Sequence, residues 1–238
     1  MRKTLLAVGL IIGLLCGCGG GGSENEAEPL ALLQGSWFGP AVDGSLRLVL
    51  DSVGGITQVE EDGLDTGLTG TVQHVTGSYY EGLLSNGRLV RLFVDPSRAY
   101  AAFFGEFRIA CLERGASELP VLGFQVDDIA PDLYAGTNLV LDDDLKLSEA
   151  HAASVEIDAD GRYAGTDASG LEFESPIGTM LAPFLGVLEG PYEDNANPTT
   201  GFMEVLPSPD MQFLVAVAFP VTNTTLLNGQ FIGAWNRD

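Results

Sequence analysis

From residue 31 onward the chain alternates between apolar and polar positions. Leu46, Leu48 and Leu50 alternate with Arg47 and Asp51; Val90, Leu92 and Val94 alternate with Arg91 and Asp95; Val155 and Ile157 alternate with Glu156 and Asp158. A period of two places one set of side chains on a buried face and the other in water, which is the signature of strands. Asn86-Gly87, Asp160-Gly161 and Asn228-Gly229 each fall between apolar runs, and these pairs suit tight hairpins because their residues tolerate positive φ. Asp95-Pro96-Ser97 and Ser208-Pro209-Asp210 mark further turns. No stretch sustains a 3.6-residue period between caps, and the nearest to a helix is the short run Leu147 to Ala153. The pattern predicts an all-β antiparallel meander.

The pattern also repeats. At an offset of 107, Leu48, Leu50, Asp51 and Gly54 match Val155, Ile157, Asp158 and Gly161. At 113, Gly77, Tyr79, Leu92, Phe93, Pro96 and Ala102 match Gly190, Tyr192, Val205, Leu206, Pro209 and Val215. At 124, Gly105-Glu106-Phe107 with Ala110 matches Gly229-Gln230-Phe231 with Ala234. Order is kept while offsets grow, as loop insertions after an internal duplication produce. The expected halves are about 33–117 and 118–238, each a meander of five or six strands. So many short strands must hide their edges by closing into a barrel or by stacking two sheets. A barrel is the preferred solution. One barrel with each half forming a side is simplest, and two small barrels come second.

The N-terminus carries an address. Arg2 and Lys3 precede an apolar run from Leu5 to Leu15, eleven residues long, which suits a signal segment and is too short to span a bilayer. Leu15-Cys16-Gly17-Cys18 follows, and it resembles the lipobox of bacterial lipoproteins. The resemblance implies cleavage after residue 17 and lipidation of Cys18. Residues 18–30, with Gly19 to Gly22 and Ser23-Glu24-Asn25-Glu26, then read as a flexible tether to a domain at 31–238. Several acyl chains on one Cys give stable anchoring. Gly19 rather than Asp after the Cys implies, by the same resemblance, the outer membrane of a Gram-negative envelope.

Composition narrows the function. Lys and Arg total 11 against 33 Asp and Glu, a formal net charge of −22. Nucleic acid is excluded as a partner, since a phosphate backbone must be met by clustered cations. Hydrophobic residues make up 45 %, enough for a packed core. The acidity suits solvated loops and a saline habitat without requiring any partner.

Gly35-Ser36-Trp37 opens the first expected strand and resembles the G-x-W motif of lipocalins, eight-stranded barrels that carry small apolar ligands. The resemblance implies that Trp37 closes the barrel base with a basic residue of the last strand over it, a part assigned here to Arg237.

No catalytic set emerges. His74 and His151 are the only histidines, and no Gly-x-Ser-x-Gly elbow is present. No zinc-ligand spacing occurs. Asp158-x-Asp160-Gly161 begins like a calcium loop, but Ser169 stands at the twelfth position where a Glu is needed, so a hairpin turn is the reading. Acidic clusters occur at Glu60-Glu61-Asp62, Asp127-Asp128 and Asp142-Asp143-Asp144, the last able to hold a divalent ion only weakly. Cys111 lies on the Phe/Ile face of an alternating strand and reads as core. Trp37, Tyr79, Tyr80 and Tyr192 are candidate ligand-binding aromatics, able to line a pocket or stack on sugar. The expectation is a non-catalytic, lipid-anchored envelope module without metal or cofactor, holding a small apolar ligand or docking an envelope protein. A purely structural lipoprotein is the alternative, and a carboxylate-based hydrolase follows. An open apolar interior separates the first from the second.

Overall fold

The computed structural model describes residues 29–42, 44–95, 99–105, 108–118, 125–142, 146–184, 187–196, 201–220 and 231–238. Cys18, the 1–17 signal segment and all but the end of the 18–30 tether lie outside them, as do Pro96, Ser97, Glu106, Phe107, Asp143, Asp144 and the Asn228-Gly229-Gln230 stretch.

The first half folds as β1 (Gly35–Ala41), β2 (Gly44–Leu50), β3 (Gly55–Glu61), β4 (Leu64–Asp65), β5 (Gly70–Thr76), β6 (Tyr79–Leu84), β7 (Leu89–Asp95), β8 (Tyr100–Phe104) and β9 (Ile109–Arg114). The second folds as β10 (Asp132–Leu141), β11 (Leu147–Ile157), β12 (Tyr163–Asp167), β13 (Glu172–Glu174), β14 (Ala182–Phe184), β15 (Val187–Asp194), β16 (Gly201–Pro207), β17 (Phe213–Pro220) and β18 (Phe231–Arg237). A short 3-10 turn precedes each set, at Pro29–Leu33 and Val126–Asp128.

Each half closes on itself. Strand β9 returns to β1, and β18 returns to β10, so two eight-stranded antiparallel barrels form, with β4 and β14 as short side pairings. The single barrel shared between halves is thereby corrected: the hydrogen bonds that remove the edges are made within each half. The run from Leu147 to Ala153, the nearest to a helix in the sequence, is the start of β11, paired along β10 from Leu141 to Gly136, and sheet pairing overrides its helix-like composition.

The ladders align the halves residue by residue. Trp37 lies opposite Leu48 and Arg114; Tyr134 lies opposite Val155 and Arg237. Leu48 therefore corresponds to Val155, as the repeat requires. The hairpins that follow are built alike. The Asp51 carboxylate accepts the N–H groups of Val53 and Gly55, and the Asp158 carboxylate those of Asp160 and Arg162. Gly54 and Gly161 then take φ of 82° and 80°, values that favour glycine. The offset of 113 holds in β7 and β8, where Leu92 faces Phe103 as Val205 faces Ala216. It fails for the tyrosines. Tyr80 lies opposite Leu92 and Leu188 opposite Val205, so Tyr79 corresponds to Val187, not to Tyr192. In the last strands the register makes the offset 123 rather than 124, since Cys111 faces Ala102 as Ala234 faces Val215.

Three cores result. One fills each lumen, and the third is a seam joining the outer faces of β8 and β9 to those of β17 and β18. In the seam, Tyr100 stacks on Phe213 with centroids 5.3 Å apart and planes 4° from parallel. Both residues occupy the same place in their barrels, so the barrels meet about a pseudo-two-fold axis, as the subunits of an isologous dimer do. Burial on both faces explains why Tyr100–Phe104 and Phe213–Ala218 are buried without a break.

Candidate functional site

The lumens are filled by side chains. In barrel 1 the filling is largely aliphatic, with Trp37, Tyr80 and Phe103 as its rings. The space at its mouth, beside Leu46, Leu84, Phe103 and Arg108, is about 20 Å³, room for about one water and far below the several hundred Å³ of a ligand pocket. In barrel 2, Tyr134, Tyr163, Phe173, Tyr192, Phe231 and Trp235 are all buried, and Phe173 touches the last three.

Each base is capped. The Trp37 indole donates to Leu33 O at 2.7 Å, and the Arg114 guanidinium sits 5.6 Å from the ring while donating to Leu32 O at 3.1 Å. A basic residue does lie over Trp37, but it is Arg114. Because barrel 1 closes within its own half, its last strand is β9, and Arg237 serves barrel 2. There Arg237 pairs with Asp132, and Tyr134 donates to Ile129 O. The Arg237 hydrogen bond holds the Asp132 carboxyl below its usual range, and burial pushes the Tyr134 phenol up to about 12.

The four aromatic candidates are not brought together. Trp37 and Tyr80 belong to the first lumen, Tyr192 to the second, and Tyr79 to the seam, where it donates to Glu81 at 3.0 Å and stacks near Phe104. Their positions are those of core residues. His74 lies on β5, with Nε2 2.9 Å from Gly77 O. His151 lies on β11, with Nε2 2.8 Å from Glu149 Oε2. Cys111 is fully buried in the seam, its Sγ 3.6 Å from Phe213 O, and burial pushes its thiol up. Among the described residues, no three His, Cys, Asp or Glu side chains group as a metal would need. The Glu60-Glu61-Asp62 cluster is matched by cations: Arg47 to Glu60 at 2.8 Å, Arg88 to Glu61 at 3.2 Å and Arg108 to Asp62 at 3.5 Å.

The large concavity lies outside barrel 2. Two hollows, of about 610 and 530 Å³, share Glu156, Ala164 and Glu174. They run along the outer face of β11, β12, β13 and β15. One row of register neighbours is Glu156, Ala164, Glu174 and Glu193; the next is Ser154, Thr166 and Glu172. Leu133, 44 % exposed, borders the first hollow, and Ile177, fully exposed, borders the second.

The cause of this hollow is visible in barrel 1. There the corresponding positions hold Phe38, Arg47 and Glu60, with Arg47 stacked 4.6 Å above the Phe38 ring and paired to Glu60. In barrel 2 they hold Ala135, Ser154 and Thr166. Three small side chains leave the surface hollow, and the Arg47–Glu60 pair has no counterpart there; among the described residues lining the two hollows the one cation is Arg162, in the smaller of them. Residues 33–117 carry six Lys or Arg and ten Asp or Glu; residues 118–238 carry three and twenty. This face was invisible to sequence reading, because its shape depends on residues that meet only across the ladders.

No protein-family model matches the chain, and no curated protein sequence matches it.

Proposed function

We propose that this protein is a non-catalytic accessory module of the cell envelope, anchored through lipidated Cys18, which docks a protein partner on the outside of its barrels. The observation that carries the reading is the distribution of space: both lumens are packed with side chains, and the large concavity is external. A lumen filled in this way gives a small apolar ligand no volume to enter, whereas a rigid closed barrel makes a firm platform for an outer face.

Native mass spectrometry and chemical cross-linking of the full chain in its own envelope test this. The expected result is a protein partner cross-linked to the barrels and no retained small-molecule mass. A retained apolar molecule returns the function to ligand carriage. The anchor has its own test. Cys18→Ser is expected to abolish membrane association, and unchanged association overturns the lipid attachment.

A further inference from the structure

Resting on the docking reading, we propose that the outer face of β11, β12, β13 and β15 receives an extended cationic segment of the partner protein. Three observations converge. The face is concave because Ala135, Ser154 and Thr166 replace the bulkier set of barrel 1. Its floor is apolar at Ala164 and its margins are apolar at Leu133 and Ile177. Its walls are acidic at Glu156, Glu172, Glu174 and Glu193; no Lys or Arg is among the described residues lining the larger hollow, and Arg162 is the single one lining the smaller. Glu174 and Glu193 lie directly opposite each other in the ladder, a pairing of like charges that weakens a sheet unless a cation is shared between them. In barrel 1 the carboxylate of this face, Glu60, is paired internally by Arg47. Barrel 2 has Thr166 and Ser154 in those two places and carries its carboxylates at other positions of the face, where a positive strip on a partner gives the matching potential.

The spacing defines the segment. Glu156, Ala164, Glu174 and Glu193 sit on adjacent strands, so the row spans three inter-strand steps, roughly 14 Å. Side chains on one face of an extended peptide recur about every 6.8 Å. A segment laid across the strands therefore places basic residues at i and i+4 over Glu156 and Glu193, and the residue at i+2 midway, between Ala164 and Glu174. That middle residue is of modest size, because the alanine methyl and the stem of Glu174 lie beneath it.

The test uses the full chain and two short peptides of equal charge. One carries a Lys-Thr-Val-Thr-Lys core and the other a Lys-Lys-Thr-Val-Thr core. Binding is followed by calorimetry at low and high salt. The spaced peptide is expected to bind more tightly than its permuted twin, and both to weaken with salt. Glu156→Gln with Glu193→Gln is expected to cost about tenfold in affinity for the spaced peptide. Glu149→Gln with Asp127→Asn removes the same charge elsewhere on barrel 2 and is expected to cost less than about twofold. Circular dichroism confirms that both variants keep the fold. Equal losses in the two variants, or equal binding of the two peptides, overturn the groove as a specific site. The two readings fail separately. Partner cross-links that map to barrel 1 reject the groove and keep the docking function, whereas an envelope without any cross-linked partner rejects the docking function itself.

Discussion

The two barrels share strand order, register, capped bases and matching hairpins, yet they fill their lumens with different chemistry. At three corresponding positions barrel 1 has Ala41, Leu112 and Glu61, and barrel 2 has Asn138, Trp235 and Asp167. The larger ring brings an indole N–H into the core, and a buried donor needs an acceptor. Trp235 donates to Asn138 Oδ1 at 3.0 Å, Asn138 donates to Asp167 Oδ2 at 3.1 Å, and Asp167 accepts from the Ser169 hydroxyl and backbone. In barrel 1 leucine makes no such demand, and Glu61 is left to pair with Arg88 and Arg108 at the mouth. Room for the rings comes from glycine. A Cβ on Gly165 would lie 2.3 Å from the Phe173 ring, and one on Gly233 would lie 2.3 Å from that of Trp235. Barrel 1 has Val59 and Ala110 in those places. The comparison teaches that one backbone accepts either filling, provided volume and hydrogen bonding are balanced together.

The largest effect expected from exchanging these parts is at Trp235. Trp235→Leu installs the barrel 1 residue, loses ring contacts and orphans Asn138. The cost is about 3–5 kcal/mol in denaturant unfolding. Trp235→Phe keeps a ring and removes only the indole N–H, so about 1–3 kcal/mol of that loss should remain from the orphaned Asn138 oxygen. A cost near zero would break the account of the network. Next is Gly165→Val, which gives barrel 2 the residue of barrel 1 and drives a side chain into Phe173, for about 1–3 kcal/mol. A neutral result would mean that the ring moves aside.

The smallest effects are pH-dependent and differ in sign. Burial, and then the nearby Asp210 carboxylate, raises the Glu113 carboxyl in the seam, with the Asp210 backbone N–H opposing. A raised folded value means that the folded state holds the proton more firmly. Its contribution is therefore full below the unfolded value and lost as pH rises through the folded one. Asp167 behaves oppositely. Burial would raise it, but hydrogen bonds from Ser169 and Asn138 and the backbone N–H groups of Ser169 and Leu171 hold it below the usual carboxylate range. Its contribution is present above the unfolded value and lost as pH falls through the folded one. Melting curves across pH should accordingly lose, in Glu113→Gln, the decline that sets in as pH rises above the ordinary carboxylate range; the counterpart in barrel 2 is already the neutral Asn236. They should lose part of the acid-side decline in Asp167→Asn. An unchanged profile in either variant would remove that group from the account.

Much of the strand structure was legible because it depends on local alternation, and the hairpins because Asp51 and Asp158 each organise a turn within four residues. The number of barrels was not, since it turns on which strand ends meet, as Trp37 meets Arg114 from 77 positions away. The same distance hid the partner of Trp37 and led to Arg237. The seam did leave a trace. Tyr100 to Phe104 contains no charged residue on either face, which a strand wet on one side would not tolerate. The outer groove left none, because it is made by small residues from three strands.

The pseudo-two-fold seam has a consequence for valency. Two identical subunits meeting in this way would repeat every surface, so any groove would be present twice and any partner recruited in pairs. Covalent fusion of two unequal barrels keeps the geometry of a dimer and releases it from that rule. One barrel is free to neutralise its own charges while the other keeps them available, so a surface built on one barrel is present once.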